Sequence, residues 1–302
     1  MPTNAVARRI ISALVVLFGM MMMMTTAHAQ NPVEDAIQQL NSSTVKGYLQ
    51  PFIDGVGADL NSGVYHSADI GTGFSLKLEL VAMGTLIGDA QKVYSAVPPV
   101  PFDQTPVQTA TIFGGRGTTV QGPGVSYQFQ NGQLNLSAVP LIVPQLSIGN
   151  IMGTQAVIRY IPIPDMNNFP KSTFFGVGLR HSISQYLPNV PVDLAAGAFY
   201  QQLTIGSLME EKTLNFSGEA SKSFSILTIY GGVQYESATM TLDYNYQGYG
   251  ATADNHVHLD LDGQNNFRFT AGLGLDLLIL HLSADANFGT VTVISGAVGF
   301  GL

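Results

Sequence analysis

The sequence predicts an all-β protein: an antiparallel transmembrane β-barrel of about twelve strands, in a range of roughly 10–14, preceded by a short helical cap or plug. Two observations predict this fold class. The chain is 46% hydrophobic and only 11% charged, whereas about 25% of the residues in a typical soluble domain are charged. Its apolar residues also alternate with small or polar ones over segments of roughly nine to eleven residues, the length of a tilted strand that crosses a bilayer.

The alternation is clearest between residues 267 and 302. Phe269 and Leu273 share one side of a strand, and after a shift in phase Leu282 lies on the apolar side of the next strand. Successive side chains of a strand point to opposite faces, so each segment has one large apolar face and one small or polar face. A membrane barrel explains this regularity, because an open sheet edge in lipid would leave backbone groups unpaired.

Residues 1–29 are predicted to be a signal peptide for export to the bacterial outer membrane. Arg8 and Arg9 form its basic start, residues 10–24 its apolar core and Ala27-His28-Ala29 its cleavage site. Without these two arginines the chain keeps 10 basic and 20 acidic residues. That balance argues against nucleic acid as a partner, because phosphate binding needs basic side chains. The absence of cysteine excludes disulfides and thiol chemistry.

Residues 30–66 are predicted to form the helical cap or plug, and residues 67–302 the barrel. Val33 and Ile37 have helical spacing, and a weaker pattern interrupted by glycines follows over 45–60. The apolar stripe of this segment must be buried. Because the outer face of the predicted barrel contacts lipid, the remaining surfaces for it are the lumen and the periplasmic mouth. A flexible leader before the first strand is the alternative, and both interpretations stay open.

The first strand is predicted over residues 74–81, with Lys77 and Glu79 facing inward. Residues 88–123 are predicted to be mostly loop, because their clustered prolines cannot donate to a central strand ladder. Segments on both sides of Asn131-Gly132 alternate in polarity, and this dipeptide is a strong turn signal. We therefore predict a barrel hairpin over residues 125–138.

The remaining strands follow the same period. Pro140 and Pro144 predict that residues 138–145 lie outside the membrane. Further crossings are predicted over residues 155–160, 175–182, 192–200, 214–221, 227–236 and 240–246. Seven tyrosines near strand ends or faces are candidates for aromatic girdles: Tyr127, Tyr160, Tyr200, Tyr230, Tyr235, Tyr244 and Tyr246.

Ten charged or titratable side chains have the parity of the inner face. They are Lys77, Glu79, Arg159, Arg180, Glu219, Glu236, Arg268, Asp276, His281 and Asp285. One interpretation is a charged lumen that filters or gates solutes. The other is mutual neutralisation inside a packed and closed barrel, and sequence alone does not decide between them.

No catalytic, cofactor-binding or metal-binding residue is predicted. His256, His258, Asp260 and Asp262 share one face of an extended segment, but a polar rim facing water explains this pattern better than a metal site. His281 and Asp285 flank Ser283 on one strand, yet they are roughly 13 Å apart by the rise per residue. A single strand cannot bring them together as a catalytic triad.

Several short stretches resemble an uncharacterised family of bacterial outer-membrane barrels, a domain of unknown function in Bacteroidetes-like bacteria. These stretches are residues 46–49, 58–63, 143–147, 159–162 and 230–236. A more distant likeness is to the outer-membrane transporters of long-chain fatty acids, which also combine an N-terminal plug with a barrel. That likeness implies uptake of hydrophobic solutes and supplies no residue role for this chain. Phe300 partly matches the C-terminal aromatic residue that the assembly machinery of such barrels reads.

We therefore expect a non-enzymatic outer-membrane channel or transporter for small solutes, including hydrophobic ones. Its expected partners are outer-membrane lipid, the barrel assembly machinery and a small hydrophobic solute, with no cofactor and no nucleic acid. The alternative is a structural or adhesive barrel whose surface loops bind a partner.

Overall fold

A computed structural model describes residues 37, 40, 42–71, 73–164, 170–245 and 256–301. One helix, α1 (Ser42–Leu60), precedes the strands. The strands are β1 (Ser75–Leu86), β2 (Val93–Ala96), β3 (Val107–Ala110), β4 (Thr119–Gly122), β5 (Val125–Gln128), β6 (Ala138–Ile151), β7 (Thr154–Ile163), β8 (Ser172–Ser182), β9 (Asp193–Ile205), β10 (Met209–Phe224), β11 (Leu227–Asn245), β12 (His256–Asp262), β13 (Phe267–Leu277), β14 (Leu280–Phe288) and β15 (Thr292–Gly301). Short 3-10 helices cover Asp89–Lys92 and Ser184–Tyr186. The predicted signal peptide lies outside the described residues.

Ten strands close into an antiparallel ring in the order β1, β6, β7, β8, β9, β10, β11, β13, β14 and β15, with β15 paired to β1. An antiparallel barrel with an N-terminal helix is therefore confirmed. The expected count of about twelve is not matched, for two reasons. The predicted hairpin over 125–138 is not in the ring, since β4 and β5 pair only with each other. The predicted crossing over 240–246 is the continuation of β11.

The two ends of the ring differ. At one end, which we call the terminal end, β1 begins and β15 finishes, and the two-residue turns after β6, β10 and β13 are found. The opposite end, which we call the loop end, carries the long connection over residues 87–137 and the connections after β7 and β11. α1 lies at the loop end, against β1, β6, β10, β11 and β12.

The prediction that residues 138–145 lie outside the membrane stays a prediction, but Pro140 and Pro144 do not interrupt the strand there, since they lie inside β6. Both pair with β1, opposite Gly84 and Leu80. The ladder from β6 to β7 begins only at Gln145. A proline has no N–H to donate, so it is tolerated where a strand has a partner on one side only.

The outer face of the ring is apolar around its middle. Exposed aromatic residues lie on both borders of this band, as in membrane barrels. Towards the loop end they include Tyr160, Phe175, Tyr200, Tyr235, Phe267 and Phe288; at the terminal end they include Phe74, Tyr186, Phe224 and Phe300. Of the other tyrosines predicted for the girdles, Tyr230 and Tyr244 are buried inside, Tyr127 lies in β5 and Tyr246 lies outside the described residues.

The apolar face of β11 changes from the outer side to the inner side of the ring along the strand. Ile229 and Tyr235 are exposed on the outer face, but beyond residue 236 the apolar Met240 and Leu242 point inward and are fully buried. Asp243 takes the outer face there. This corrects the prediction that the apolar side of residues 240–246 faces outward. This part of the strand lies beyond the apolar outer band, and its inward apolar side chains pack in the core with α1.

The loop end is closed by a packed apolar core, which we call the cap. α1 supplies Val45, Leu49 and Ile53, and the upper halves of β1, β6 and β11 surround them. Residues 111–134 join this core, since the Ile112 amide donates to Tyr48 O over 3.0 Å. The hairpins β2–β3 and β4–β5 lie in the same connection. Among the described residues, no helix is both long and apolar enough to cross a membrane.

Candidate functional site

The candidate site is the contact between the barrel wall and the chain that fills its lumen. Residues 58–70, which we call the lumen segment, comprise the last three residues of α1 and the chain that follows, and they run inside the ring towards the start of β1. These residues leave helical structure, so their carbonyl groups need new hydrogen-bond partners inside a closed space. Three arginines of the wall, Arg159, Arg180 and Arg268, supply them.

Arg159 on β7 binds the backbone where α1 ends. Its Nη1 donates to Leu60 O over 3.1 Å, and its Nη2 donates to Ser62 O over 2.9 Å and to Gly63 O over 2.6 Å. Gln145 and Gln201 accept its remaining bonds. A cation at a helix C-terminus faces the negative end of the helix dipole. The guanidinium fork therefore caps α1 from the barrel wall.

Arg268 on β13 binds α1 two residues before its end. Its Nη2 lies 2.8 Å from Ala58 O and 2.9 Å from Glu236 Oε1, and its Nη1 donates to Ser62 Oγ. Asn265 also donates to the Glu236 carboxylate. Arg268 and Glu236 are almost completely buried, so this ion pair depends on its surrounding hydrogen bonds to offset desolvation.

Arg180 on β8 binds the lower part of the lumen segment. Its Nη2 donates to Ser67 O and to the Glu219 carboxylate, and its Nη1 donates to Gln155 Oε1 over 2.6 Å. The guanidinium carbon lies 5.7 Å from the ring centre of Tyr65, within the range of cation–π attraction. All three arginines thus bind carbonyl oxygens of the lumen segment as well as side chains of the wall.

Glu79 on β1 holds a fourth contact. Its Oε1 lies 3.1 Å from His66 Nδ1 of the lumen segment and 3.0 Å from Lys77 Nζ, and Gln145 donates to its Oε2. Two predicted residues of β1 are therefore brought together with the plug. The pairing of Lys77 with Glu79 follows from their shared face, but the contact with His66 does not.

The remaining predicted residues do not contact the lumen segment in this way. Asp285 is buried and accepts hydrogen bonds from Tyr230 over 2.8 Å, from Asn287 over 2.5 Å and from Ser295. Asp276 and His281 pair across β13 and β14 at 2.6 Å, near the terminal end. Both are partly open to solvent.

Acidic residues gather where α1 meets the wall near the loop end. Burial raises the pKa of the Asp59 carboxyl well above its usual range, and burial also raises the pKa of Asp54. Thr85 donates to Asp59 over 2.8 Å. Glu211 on β10 is buried beside them and interacts electrostatically with both. A Cβ on Gly57 would lie 2.8 Å from Glu211 Oε1, so this close approach requires glycine.

The plug fits the wall closely. Gly63 has φ of +60°, a conformation that glycine adopts without strain, and it turns the chain beside Arg159. The space between Val64, Val157 and Phe199 has no room for a water molecule. Val64 of the lumen segment therefore packs directly against β7 and β9 at this level.

The histidine-rich strand β12 lies away from this site. His256 and His258 approach the Asp243 carboxylate at 3.4 and 3.2 Å on the exposed outer face of the loop end. Asp260 and Asp262 accept hydrogen bonds from threonines of β11. Within the described ranges no group of three His, Asp or Glu side chains could hold a metal ion.

Sequence reasoning missed the uncharged partners in the lumen. Gln145, Gln201 and Asn215 all bind the lumen segment or its arginines. The alternation of the sequence places them on the inner face. The signal that could have identified them is an amide side chain at an inward position beside a charged inward residue of the neighbouring strand, because buried polar groups need partners.

Solved structures similar to this chain include the toluene transporter TbuX of Ralstonia pickettii, at 10% identity over 88% of this chain and 98% of that chain, with a TM-score of 0.24. A BenF-like porin from Pseudomonas fluorescens Pf-5 is also 10% identical, over 76% of this chain and 97% of that chain, with a TM-score of 0.17. TM-scores this low support no conclusion about fold or function.

No curated protein matches the chain. A family of unknown function matches it from residue 7 to residue 302. Since this match covers nearly the whole sequence, the chain belongs to that family, DUF6588.

Proposed function

We propose that this protein is an outer-membrane channel or transporter for small solutes, including hydrophobic ones, closed by its own N-terminal plug. The proposal rests on the hydrogen bonds that hold the plug in the lumen. Three wall arginines bind backbone carbonyls of the lumen segment, and water can replace such bonds if the segment moves. A plug held in this way is able to leave its seat without unfolding the ring.

The apolar outer band and its aromatic borders support a location in the outer membrane, with lipid as the surrounding partner. Export by the predicted signal peptide and insertion by the barrel assembly machinery belong to the same proposal. Barrels of this kind have short periplasmic turns and longer outer loops. The loop end, with α1 and the cap, therefore faces the outside of the cell.

The cap supports hydrophobic solutes as one class of cargo. Its inner surface is formed by apolar side chains of α1 and of the projecting part of β11, such as Leu49, Met240 and Leu242. A shift of α1 would expose this surface to a solute at the outer mouth. Apolar solutes would be favoured there because their transfer from water is favourable.

A reversible disulfide between plug and wall tests the proposal. A Cβ built on Gly55 of α1 lies 3.7 Å from the Cβ of Val139 on β6, close to the mean of about 3.8 Å for disulfides. The natural chain has no cysteine, so the pair G55C/V139C forms the single possible bridge. In proteoliposomes, we expect oxidation of this variant to stop solute uptake and reductant to restore it.

The single variants G55C and V139C, treated with the same oxidant, are the matched controls. They should keep the uptake of the reduced pair. Equal uptake by the oxidised and the reduced pair would overturn plug gating. Uptake by none of the variants would overturn transport itself.

One observation favours a second function. Residues 87–137 form a long connection at the loop end with two hairpins, β2–β3 and β4–β5, that lie outside the ring. This arrangement suits an adhesive barrel that binds a partner at the cell surface. A variant that lacks only residues 119–128 should then lose partner capture and keep solute uptake. In both cases we propose that the protein is not an enzyme and does not bind nucleic acid.

A further inference from the structure

β12 has a partner strand on one side only. Its seven residues, His256–Asp262, pair with the part of β11 nearest the loop end, and β13 pairs with the same side of β11 lower down. No second strand pairs with β12 in the described part of the chain. β12 therefore has an open edge at the loop end, and such an edge presents backbone N–H and C=O groups to which a further strand can bind.

The hydrogen bonds of β12 to β11 show which residues are open at this edge. The Gly263 amide, next to the strand, donates to Ala238 O over 2.9 Å. Because successive residues of an antiparallel strand bond to opposite sides, the odd-numbered residues of β12 bond to β11. The even-numbered residues direct their backbone groups to the open edge. Gln50 of α1 donates to Asp262 O, so the free stretch is residues 256–260.

The exposed face of β12 carries opposite charges in a symmetric order. Two histidines are followed by two aspartates at every second position: His256, His258, Asp260 and Asp262. All four residues are exposed. If this strand lies antiparallel to a copy of itself with Leu259 at the two-fold axis, His256 is opposite Asp262 and His258 is opposite Asp260. Opposite charges directly across a strand pair stabilise it, so β12 is complementary to itself.

Other registers of such a pair lack this match. A shift by two residues places His258 opposite His258 or Asp260 opposite Asp260, and like charges in these positions are destabilising. A shift by one residue places even-numbered residues opposite odd-numbered ones, whose backbone groups are already bonded to β11. The order of the charges and the open backbone groups therefore select the same register independently.

The present neighbours of the four side chains are compatible with this pairing. His258 Nδ1 lies 3.2 Å from Asp243 Oδ2, and Asp260 accepts from Thr241 over 2.7 Å. An imidazole has a second ring nitrogen and a carboxylate has a second oxygen. Each side chain can therefore keep its contact with β11 and form another one across the open edge.

Antiparallel pairing also determines how the two molecules are placed. β12 runs beside β11 as a continuation of the ring wall, and the strands of membrane barrels are tilted by about 35–45° from the barrel axis. Two barrels in one membrane have the same orientation, so their β12 strands cannot lie antiparallel to each other. Two barrels whose loop ends face each other from opposite membranes can pair in this way.

We propose that β12 is a homophilic contact strand, which pairs antiparallel with β12 of a second copy of this chain in a facing membrane. This inference rests on the proposed function in requiring that the barrel spans the outer membrane with its loop end outside the cell. It gives the adhesive barrel a partner, a second copy of the same chain, and a contact separate from the hairpins β2–β3 and β4–β5. Each contact is small, but many copies on two facing surfaces act together.

Cysteine cross-linking tests the register. Directly opposite residues that share no hydrogen bonds have Cα atoms about 4.5 Å apart, within the range of about 4.4–6.8 Å for disulfides. The natural chain has no cysteine, so Leu259→Cys offers one thiol per copy, at the two-fold axis. In phosphatidylcholine proteoliposomes, we expect oxidation to link two chains of this variant. Val257→Cys is the matched control on the same face, since its two copies lie about 14 Å apart along the strand.

Exchange of charges tests the pairing of histidine with aspartate. The variants H256D/D262H and H256D/D260H have the same composition and net charge. The first keeps a histidine opposite every aspartate, whereas the second places like residues opposite each other. Proteoliposomes of the wild type and of H256D/D262H should cluster, as measured by light scattering. Those of H256D/D260H should cluster severalfold less.

Heat modifiability on gels shows whether each variant still forms the barrel. Three results would each overturn the pairing: no clustering of wild-type vesicles, equal clustering of the two charge variants, or equal cross-linking at positions 257 and 259. The four charges would then only protect an exposed edge. Swelling of the same vesicles in arabinose measures permeation, so swelling without clustering would refute the pairing of β12 and leave the proposed transport standing.

Discussion

α1 and the lumen segment are held by opposite kinds of contact. α1 lies in the cap and packs through apolar side chains such as Leu49 and Ile53. The lumen segment, only a few residues further on, is held by Arg159, Arg180 and Arg268 through its backbone. A helix satisfies its own backbone, so its contact with a wall can be apolar. An irregular segment cannot, and the wall must supply donors for it.

α1 and the lumen segment should respond differently when their contacts to the wall are removed. Apolar packing is non-directional and weakens gradually as contacts are lost. The arginine contacts are directional, and removing one partner leaves a buried group unsatisfied. We therefore expect variants of the lumen segment and its arginines to release the plug more abruptly than variants of the cap.

The largest effect is expected for Arg268→Met. It leaves Glu236 as an uncompensated buried charge and removes one of the two donors to Ala58 O, the other being Ser62 Oγ. Breaking such an ion pair costs about 3–5 kcal/mol. Hydrogen exchange of residues 58–63 should accelerate accordingly. The double variant Arg268→Met, Glu236→Gln should recover part of the loss. If Arg268→Met alone keeps the wild-type exchange rates in residues 58–63, Arg268 does not hold the lumen segment in place.

Leu49→Ala should affect the other region. Leu49 is fully buried in the cap, and a leucine-to-alanine change in a core costs about 2–5 kcal/mol. We expect faster exchange in α1 before residue 56, with slow exchange retained around Arg159. Loss of protection to the same extent at both places would mean that helix and lumen segment form one cooperative unit, contrary to the comparison.

Gly57→Ala tests the boundary between the two regions. The added Cβ would lie 2.5 Å from the Cβ of Ala238 and close to Glu211, and overpacking costs about 1–3 kcal/mol. The control is Gly115→Ala, where a Cβ meets nothing within 4 Å. Thermal unfolding of the two variants in detergent should separate them, and equal midpoints would contradict the close contact.

The smallest effect concerns pH. The folded pKa of Asp59 is raised by burial, so the seated plug holds this proton more tightly than the released plug. Seating should therefore weaken as the pH rises above the ordinary aspartate pKa of about 4, by at most about 1.4 kcal/mol per unit. Proteolysis of the lumen segment at several pH values measures it. Asp59→Asn should flatten the profile, and Asp103→Asn, on an exposed loop, should not.

Much of the wall could be predicted because strand alternation is local. The faces of Phe269, Leu282 and Val298 follow from a period of two residues, and the structure places all three on the outer side. The inward parity of Arg159 and Arg268 has the same origin. The sequence also predicted helical structure before the strands, with a flexible leader as the open alternative, and α1 falls within the predicted region.

Other features depended on the environment that tertiary structure creates. β11 keeps its period, but its apolar side changes from outward to inward beyond Tyr235, because the strand leaves the apolar outer band and packs against the cap. Pro140 and Pro144 remain in a strand because β6 has one partner there. The predicted strand count exceeded ten because residues 240–246 continue β11 and the hairpin predicted over 125–138 is not part of the ring.

The partners of the arginines were decided only by the closed ring. Arg159 binds Gly63 across 96 positions of the chain, and Arg268 binds Ala58 across 210. A period of two residues reports the side of a strand on which a charge lies, but not what is opposite it across the lumen. Sequence determined that these charges face inward. Ring closure around the plug determined that they bind its backbone, because only there do unsatisfied carbonyls and guanidinium groups meet away from water.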